Sequence, residues 1–262
     1  GAYQDRDEPA VRSDLYKFLE IAKRWAGGRP ASAIKAEVPP TLVPFQPNKG
    51  KVENVLDALK GVCNLPTAQM PPCWLASANG ASTSLKPVDI LACRNGLLHI
   101  PTRKLYPSTP SFFTLNGIEL DYTHHAPAPA NWLAFLSSIW PYDEESIATL
   151  QEVFGYILTP DTKQQKILML HGPKRSGKGL IGRILRNLVG DRNTCSPTLA
   201  AFDQDFGKQV LVNKTVAIIS DARISSRTDT ARVAETLLSI SGEDPQTIPR
   251  KFLPDWNGKL AV

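Results

Sequence analysis

The densest chemistry in this sequence lies in residues 171–179, HGPKRSGKG. Gly172 and Gly177 let the backbone fold tightly enough to aim several N–H groups at one point, where the dipole of a following helix already favours anions. Lys178 adds a full positive charge suited to the β- and γ-phosphates of a nucleotide. Gly172, four intervening residues and then Gly177-Lys178 give the spacing of a phosphate-binding P-loop, and the position before a helical run supports it. The candidate nucleotide-binding residues are therefore Gly172, Pro173, Lys174, Arg175, Ser176, Gly177, Lys178, Gly179 and Leu180, with Lys178 also a candidate catalytic cation. The position after the lysine departs from the pattern. Ser or Thr there normally holds Mg²⁺ through its hydroxyl, whereas this chain has Gly179 followed by Leu180. The bland alternative is a Gly-rich connection between a core strand and a helix.

Two further groups carry chemistry. The β-branched run at 215–219 leads into Ser220-Asp221, a strand ending in an acid downstream of a P-loop, which is the Walker B pattern. In a parallel sheet its C-terminal end lies beside the phosphate loop, which makes Asp221 the candidate catalytic acid and Mg²⁺ ligand. A strand that ends in a capping Asp is the alternative. Near the C-terminus, Arg250-Lys251-Phe252 falls in the middle of a stretch that reads as a β-hairpin, with Asn257-Gly258 a further turn signal. Lys can neutralise a DNA phosphate and an aromatic ring can pack on a base or sugar without reading sequence. A solvated hairpin edge with one buried ring explains the same residues.

The elements that must position these groups follow from periodicity. An apolar run at 166–170 predicts a buried strand entering the loop, and Ile181, Ile184, Leu185 and Leu188 predict the inner face of the helix leaving it. Upstream, residues 12–25 place Leu15, Phe18, Leu19 and Ala22 on one helical face, with Ser13 or Asp14 as cap. Pro39, Pro40, Pro44 and Pro47 make the next stretch too proline-rich for regular structure, and residues 51–63 return to helical spacing. Residues 90–93 and 96–100 read as strands joined by Arg94-Asn95. Helices are expected at 131–139 and at 143–158, the second opening on acids that suit its dipole. A last helix is expected at 228–240, with Val233, Ala234, Leu237 and Leu238 buried and Thr228 or Asp229 as cap.

At 262 residues the chain can hold one large domain or two smaller ones, and 42% hydrophobic with 21% charged residues is ordinary for a globular protein. No apolar run approaches the ~20 residues a membrane helix needs. Four scattered cysteines form no metal-binding pair or disulfide framework, which points to a reducing compartment. The net charge of +5 is uneven: residues 164–262 carry +6 and residues 1–163 carry −1. The half with the phosphate loop is the basic half, as in a nucleic-acid-binding ATPase.

From about residue 89 to residue 260 the chain resembles the helicase portion of phage- and plasmid-type primase-helicases, members of superfamily 3. RNGLLHIPTRKLYPSTPSFF, WLAFLSSIW and LQEVFGYILT resemble the helical domain that precedes the motor, shared with poxvirus-type primases. GPKRSGKG, AIISDAR and SGEDPQTIPRKF fall in the order of Walker A, Walker B and the superfamily's third motif. The resemblance implies an α/β fold: a P-loop, AAA-like core with a parallel sheet at 164–262, truncated at its C-terminus. A mainly helical domain with a few short strands would precede it at 86–163, and residues 1–85 would be a helical or linker region. It further implies a hexameric ring that moves along single-stranded DNA using ATP and Mg²⁺, in the cytoplasm of a phage or plasmid host, with an attached or associated primase domain. In the family the third motif forms a hairpin that reaches into the central channel; its lysine matches Lys251 and the following ring matches Phe252.

Several features depart from the family. Relatives with Gly-Lys-Gly usually place Thr next, and Leu180 removes that hydroxyl too. Ala222 follows Asp221, so no adjacent acid orients the attacking water. The sequence ends before the strand that bears the sensor asparagine and before the arginine finger, so the expectation is nucleotide binding with poor hydrolysis. Arg223 and Arg227 could act on a neighbouring subunit, or simply line a salt-bridged surface. Three classes therefore stay open: a DNA-dependent ATPase and helicase core; a nucleotide-binding, non-hydrolysing single-stranded DNA or replication-partner module; and a P-loop kinase, which the third motif argues against.

Overall fold

The structure is a computed structural model that describes residues 2–26, 40–66, 69–75, 84–220, 222 and 228–262. The chain divides into two compact units, residues 4–70 and residues 71–262, the second also taking in Tyr3.

In the first unit, helix α1 spans Glu8–Ile21 and begins earlier than the periodicity suggested, because the Asp7 side chain accepts from the Ala10 N–H and Pro9 suits the first turn. Trp25 is not helical: it lies in strand β1, Lys23–Ala26, paired antiparallel with β2, Thr41–Pro44. The proline-rich stretch thus does hold a strand, with Pro44 at its last position, where a missing ladder donor is tolerated. Helix α2, Lys49–Val62, is capped by the Asn48 side chain and buries Val52 and Leu56.

The second unit opens with β3, Cys73–Trp74, which pairs antiparallel with β7, Phe112–Phe113. Between them lies a three-stranded meander of β4, Ile90–Cys93, β5, Gly96–His99, and β6, Lys104–Tyr106. The expected two-residue turn at Arg94-Asn95 sets the β4–β5 register, Cys93 opposite Gly96. Ile90, Ala92, Leu97 and Phe112 form a small core there. Burial pushes the Cys93 thiol up.

Helices α3, Ala130–Ile139, and α4, Glu144–Ile157, match the predicted spans to within a residue or two. Asp143 caps α4 by accepting from Ser146, and those hydrogen bonds hold its carboxyl below the usual aspartate range. Leu136, Leu150 and Phe154 then join Ile181, Leu185 and Val189 of the helix after the phosphate loop, and Val216, in one core. Asn193 fastens this region from a second side, its buried amide donating to Gly117 O (2.8 Å) and Val189 O (2.7 Å). The core therefore runs continuously across residue 163, the expected boundary between helical domain and motor.

Of the expected parallel sheet, the described residues supply one pair: β8, Thr194–Cys195, beside β9, Val216–Ala217. Hydrogen bonds from Thr215 N to Asn193 O and from Ile218 N to Cys195 O extend it by a residue at each end. Residues 166–170, expected as a buried strand, make no ladder among the described residues. Ile167, Leu168 and Met169 are 59%, 43% and 78% exposed, and only Leu170 packs into the core. The physical reason is pairing: an apolar run becomes a buried strand only when neighbouring strands satisfy its backbone and helices cover both faces.

Helix α6 spans Thr230–Ser241 with Asp229 as its cap, accepting from Ala231 and Arg232. Of the four side chains expected to be buried, Val233 is and Leu237 is half-buried, but Leu238 is 70% exposed and Ala234 is exposed. Strands β10, Gln246–Arg250, and β11, Leu253–Gly258, form the antiparallel hairpin foreseen at the C-terminus. Asn257 and Gly258 close β11 rather than forming a turn. Val233 and Ile248 share a core with Leu199, Phe202, Leu211 and Leu260.

Candidate phosphate-binding loop and basic hairpin

Helix α5, Lys178–Val189, starts on Gly177, whose φ of 86° and ψ of −8° are left-handed and cost a glycine nothing. Leu180 N and Ile181 N both donate to Gly177 O, so the first turn closes on that residue. The first-turn amides beyond these have no acceptor within the helix, the general condition that makes such an end receptive to an anion. Gly177 is also wedged from above. A Cβ placed on it would lie 2.8 Å from Phe135 Cζ and 2.8 Å from Ile139 Cδ1, so α3 sits directly on the loop.

Lys178 points into this loop. Its ammonium donates to Gly172 O (2.8 Å), Pro173 O (2.7 Å) and Ser176 Oγ (3.1 Å). The charge is thus held within the loop by two backbone carbonyls and one hydroxyl. Pro173, Lys174 and Arg175 are exposed, and Arg175 adopts a left-handed φ of 62°. Gly179 is exposed and Leu180 half-buried; neither offers an oxygen from its side chain.

The strand leading to Asp221 is present as the parallel pairing of residues 215–218 with 193–195, and Ile218 packs in the same core as α5. Asp221 itself, like Arg223 and Arg227, lies outside the described residues.

The hairpin places Lys251 and Phe252 at its tip, between Arg250 and Leu253, which are opposite one another. Phe252 is 93% exposed, which does not fit the alternative of a hairpin edge with one buried ring. The Lys251 ammonium lies 5.4 Å from its ring centroid, and the Lys251 N–H donates to Gln209 Oε1 at 3.2 Å. Arg250 is half-buried, and its Nε donates to Pro254 O at 2.8 Å across the hairpin.

Upstream of the loop, residues 162–165 are tied to the start of the hairpin's first strand through groups the sequence did not single out. Thr162 donates to the Glu243 carboxylate in a short hydrogen bond, and Gln165 Nε2 donates to Gly242 O at 3.2 Å. The turn before the phosphate loop is therefore tied to the junction of α6 and β10. Gln165 and Glu243 both have left-handed φ, 51° and 62°, an uncommon state for residues with a Cβ. The Gly-Glu dipeptide after a helix was the only local signal for this junction. Phe135 and Ile139 were legible as apolar, but not as neighbours of Gly177.

Comparison with known proteins finds two matched regions, and the first of them crosses the division between the two units. Residues 46–141 match the family model described as D5 N terminal like. This match supports the primase-helicase resemblance, and it begins at residue 46, upstream of residue 89 where the resemblance was read. Residues 170–261, which hold the loop, β9 and the hairpin, match a family of unknown function, DUF5906. An uncharacterized mitochondrial protein of Marchantia polymorpha, ymf21, is 32% identical over 73 residues, or 28% of this chain. The aligned stretch spans 41% of that relative's length. Among the described residues, no helix is long and apolar enough to cross a membrane.

Proposed function

We propose that this chain is the nucleotide- and single-stranded-DNA-binding core of a replication helicase of the phage or plasmid primase-helicase kind, with ATP as substrate. The observation that carries the reading is the Lys178 ammonium gathered by Gly172, Pro173 and Ser176 in a glycine-bracketed loop at the start of α5. Triphosphate oxygens would replace those acceptors, with the first-turn amides of α5 completing the cradle. The D5 N terminal like similarity supports the replication context.

Single-stranded DNA would meet the Lys251-Phe252 tip, ammonium to phosphate and ring to base, a pairing that tolerates any sequence. An α/β core, a homohexameric ring and an attached or associated primase domain belong to the same proposal. Asp221 is the proposed carboxylate for Mg²⁺. Gly179 has no oxygen where a hydroxyl would hold the ion, and the described residues contain no cluster of three or more His, Cys, Asp or Glu side chains suited to a metal. The described donor set fits Mg²⁺ poorly, leaving phosphate oxygens, water and Asp221 to carry it.

A second reading is a module that binds nucleotide and single-stranded DNA, or a replication partner, without turnover. The missing hydroxyl at Gly179 and Leu180 favours it. Calorimetric titration of ATP into the parent chain and Lys178→Ala tests what both readings share. The expected outcome is loss of measurable binding in the variant; equal affinities would remove the phosphate loop from both. ATP turnover with and without single-stranded DNA separates them, since only the helicase core is stimulated.

A further inference from the structure

We propose that Arg183 is a phosphate-binding residue that takes over the electrostatic role of the missing hydroxyl-held cation, so that nucleotide affinity in this chain does not depend on a divalent metal. The proposal rests on the phosphate-loop reading and extends it to a residue of α5 one turn beyond the loop.

Gly179 and Arg183 are four residues apart and so share one face of α5. Helical side chains lean toward the N-terminus, and here that carries the guanidinium back to the loop. Arg183 Nη1 lies 3.6 Å from the point a Cβ on Gly179 would occupy. That point is the root of the Ser or Thr side chain whose hydroxyl holds Mg²⁺ in loops of the standard pattern. A fixed cation thus stands beside the place where a metal ligand is missing.

Arg183 is exposed and has no carboxylate partner among the described residues, whereas the next arginine, Arg186, is engaged by Ser196. Nothing on α5 competes for its charge. A planar guanidinium offers two parallel donors to phosphate oxygens and stays charged at any working pH. It adds to the loop's own Lys174, Arg175 and Lys178 a cation beside Gly179, and the helix end contributes roughly another half charge. Holding the nucleotide then needs no metal.

Titration of a fluorescent ATP analogue, in Mg²⁺ and in excess chelator, tests this on the parent chain, Lys178→Ala, Arg183→Ala and the double variant Gly179→Ser/Arg183→Ala. The parent should change affinity by less than about threefold on chelation, and Arg183→Ala should lose about tenfold or more in chelator, the scale of one charge-assisted contact. The double variant should regain affinity in Mg²⁺ but not in chelator. Unchanged melting temperatures would show that the exposed Arg183 acts on the ligand and not on the fold. A parent chain that binds with Lys178 dependence yet releases the analogue on chelation overturns the proposal alone. So does Arg183→Ala that keeps full affinity without metal. A parent chain that behaves like Lys178→Ala overturns the phosphate-loop reading together with it.

Discussion

Lys251 and Phe252 show what a single exposed pair of side chains can do. Replacing Lys251 by Ala should weaken single-stranded DNA binding and lower the salt slope by about one contact. Phe252→Ala should cost about 1–3 kcal/mol of affinity with little change in slope, because stacking releases no counterion. Binding isotherms at several salt concentrations check both, and an unchanged slope for Lys251→Ala takes that residue out of the DNA path. The residue types were legible in the sequence, as was their place within a hairpin. Arg250 was not separable from its neighbours there; only its hydrogen bond to Pro254 O across the hairpin sets it apart. Arg183 was likewise invisible as a site, since its meaning depends on the empty position four residues earlier.

Among the elements, α5 and α3 form the pair on which the loop depends. Gly177 is left-handed and pressed against Phe135 and Ile139. Gly177→Ala should therefore destabilise the chain twice over, by about 1–2 kcal/mol for the backbone state and about 1–3 kcal/mol for the crowded side chain. Denaturant unfolding measures the sum. A loss under about 0.5 kcal/mol, the scale of an ordinary surface change, would mean that α3 does not seat on the loop. Helices were read well because caps and 3.6-residue periodicity are local: Asp143 and Asp229 both cap the helices that follow them. The errors fell where capping signals competed, as at Asp7 against Ser13, or where pairing overrode composition, as in β2 beside Trp25.

At the scale of the molecule, the second unit holds its helical segment and its phosphate-loop segment through one core. Leu136 of α3 is fully buried in it, packed with residues of α4, α5 and β9. Leu136→Ala should cost about 2–5 kcal/mol and should raise amide exchange in α5 as well as in α3. Exchange confined to α3 would mean that the two segments unfold separately. The sequence by itself determined the glycine-lysine loop, its departure at Gly179, the helices flanking it and the basic hairpin. Each of these is written in neighbouring residues, where spacing alone fixes backbone freedom and charge. Only the tertiary structure decided that residues 166–169 lie open, that Phe252 points into solvent, and that α3 covers Gly177. Periodicity marks a face as apolar, but burial and ladder pairing depend on which distant segment arrives to cover it.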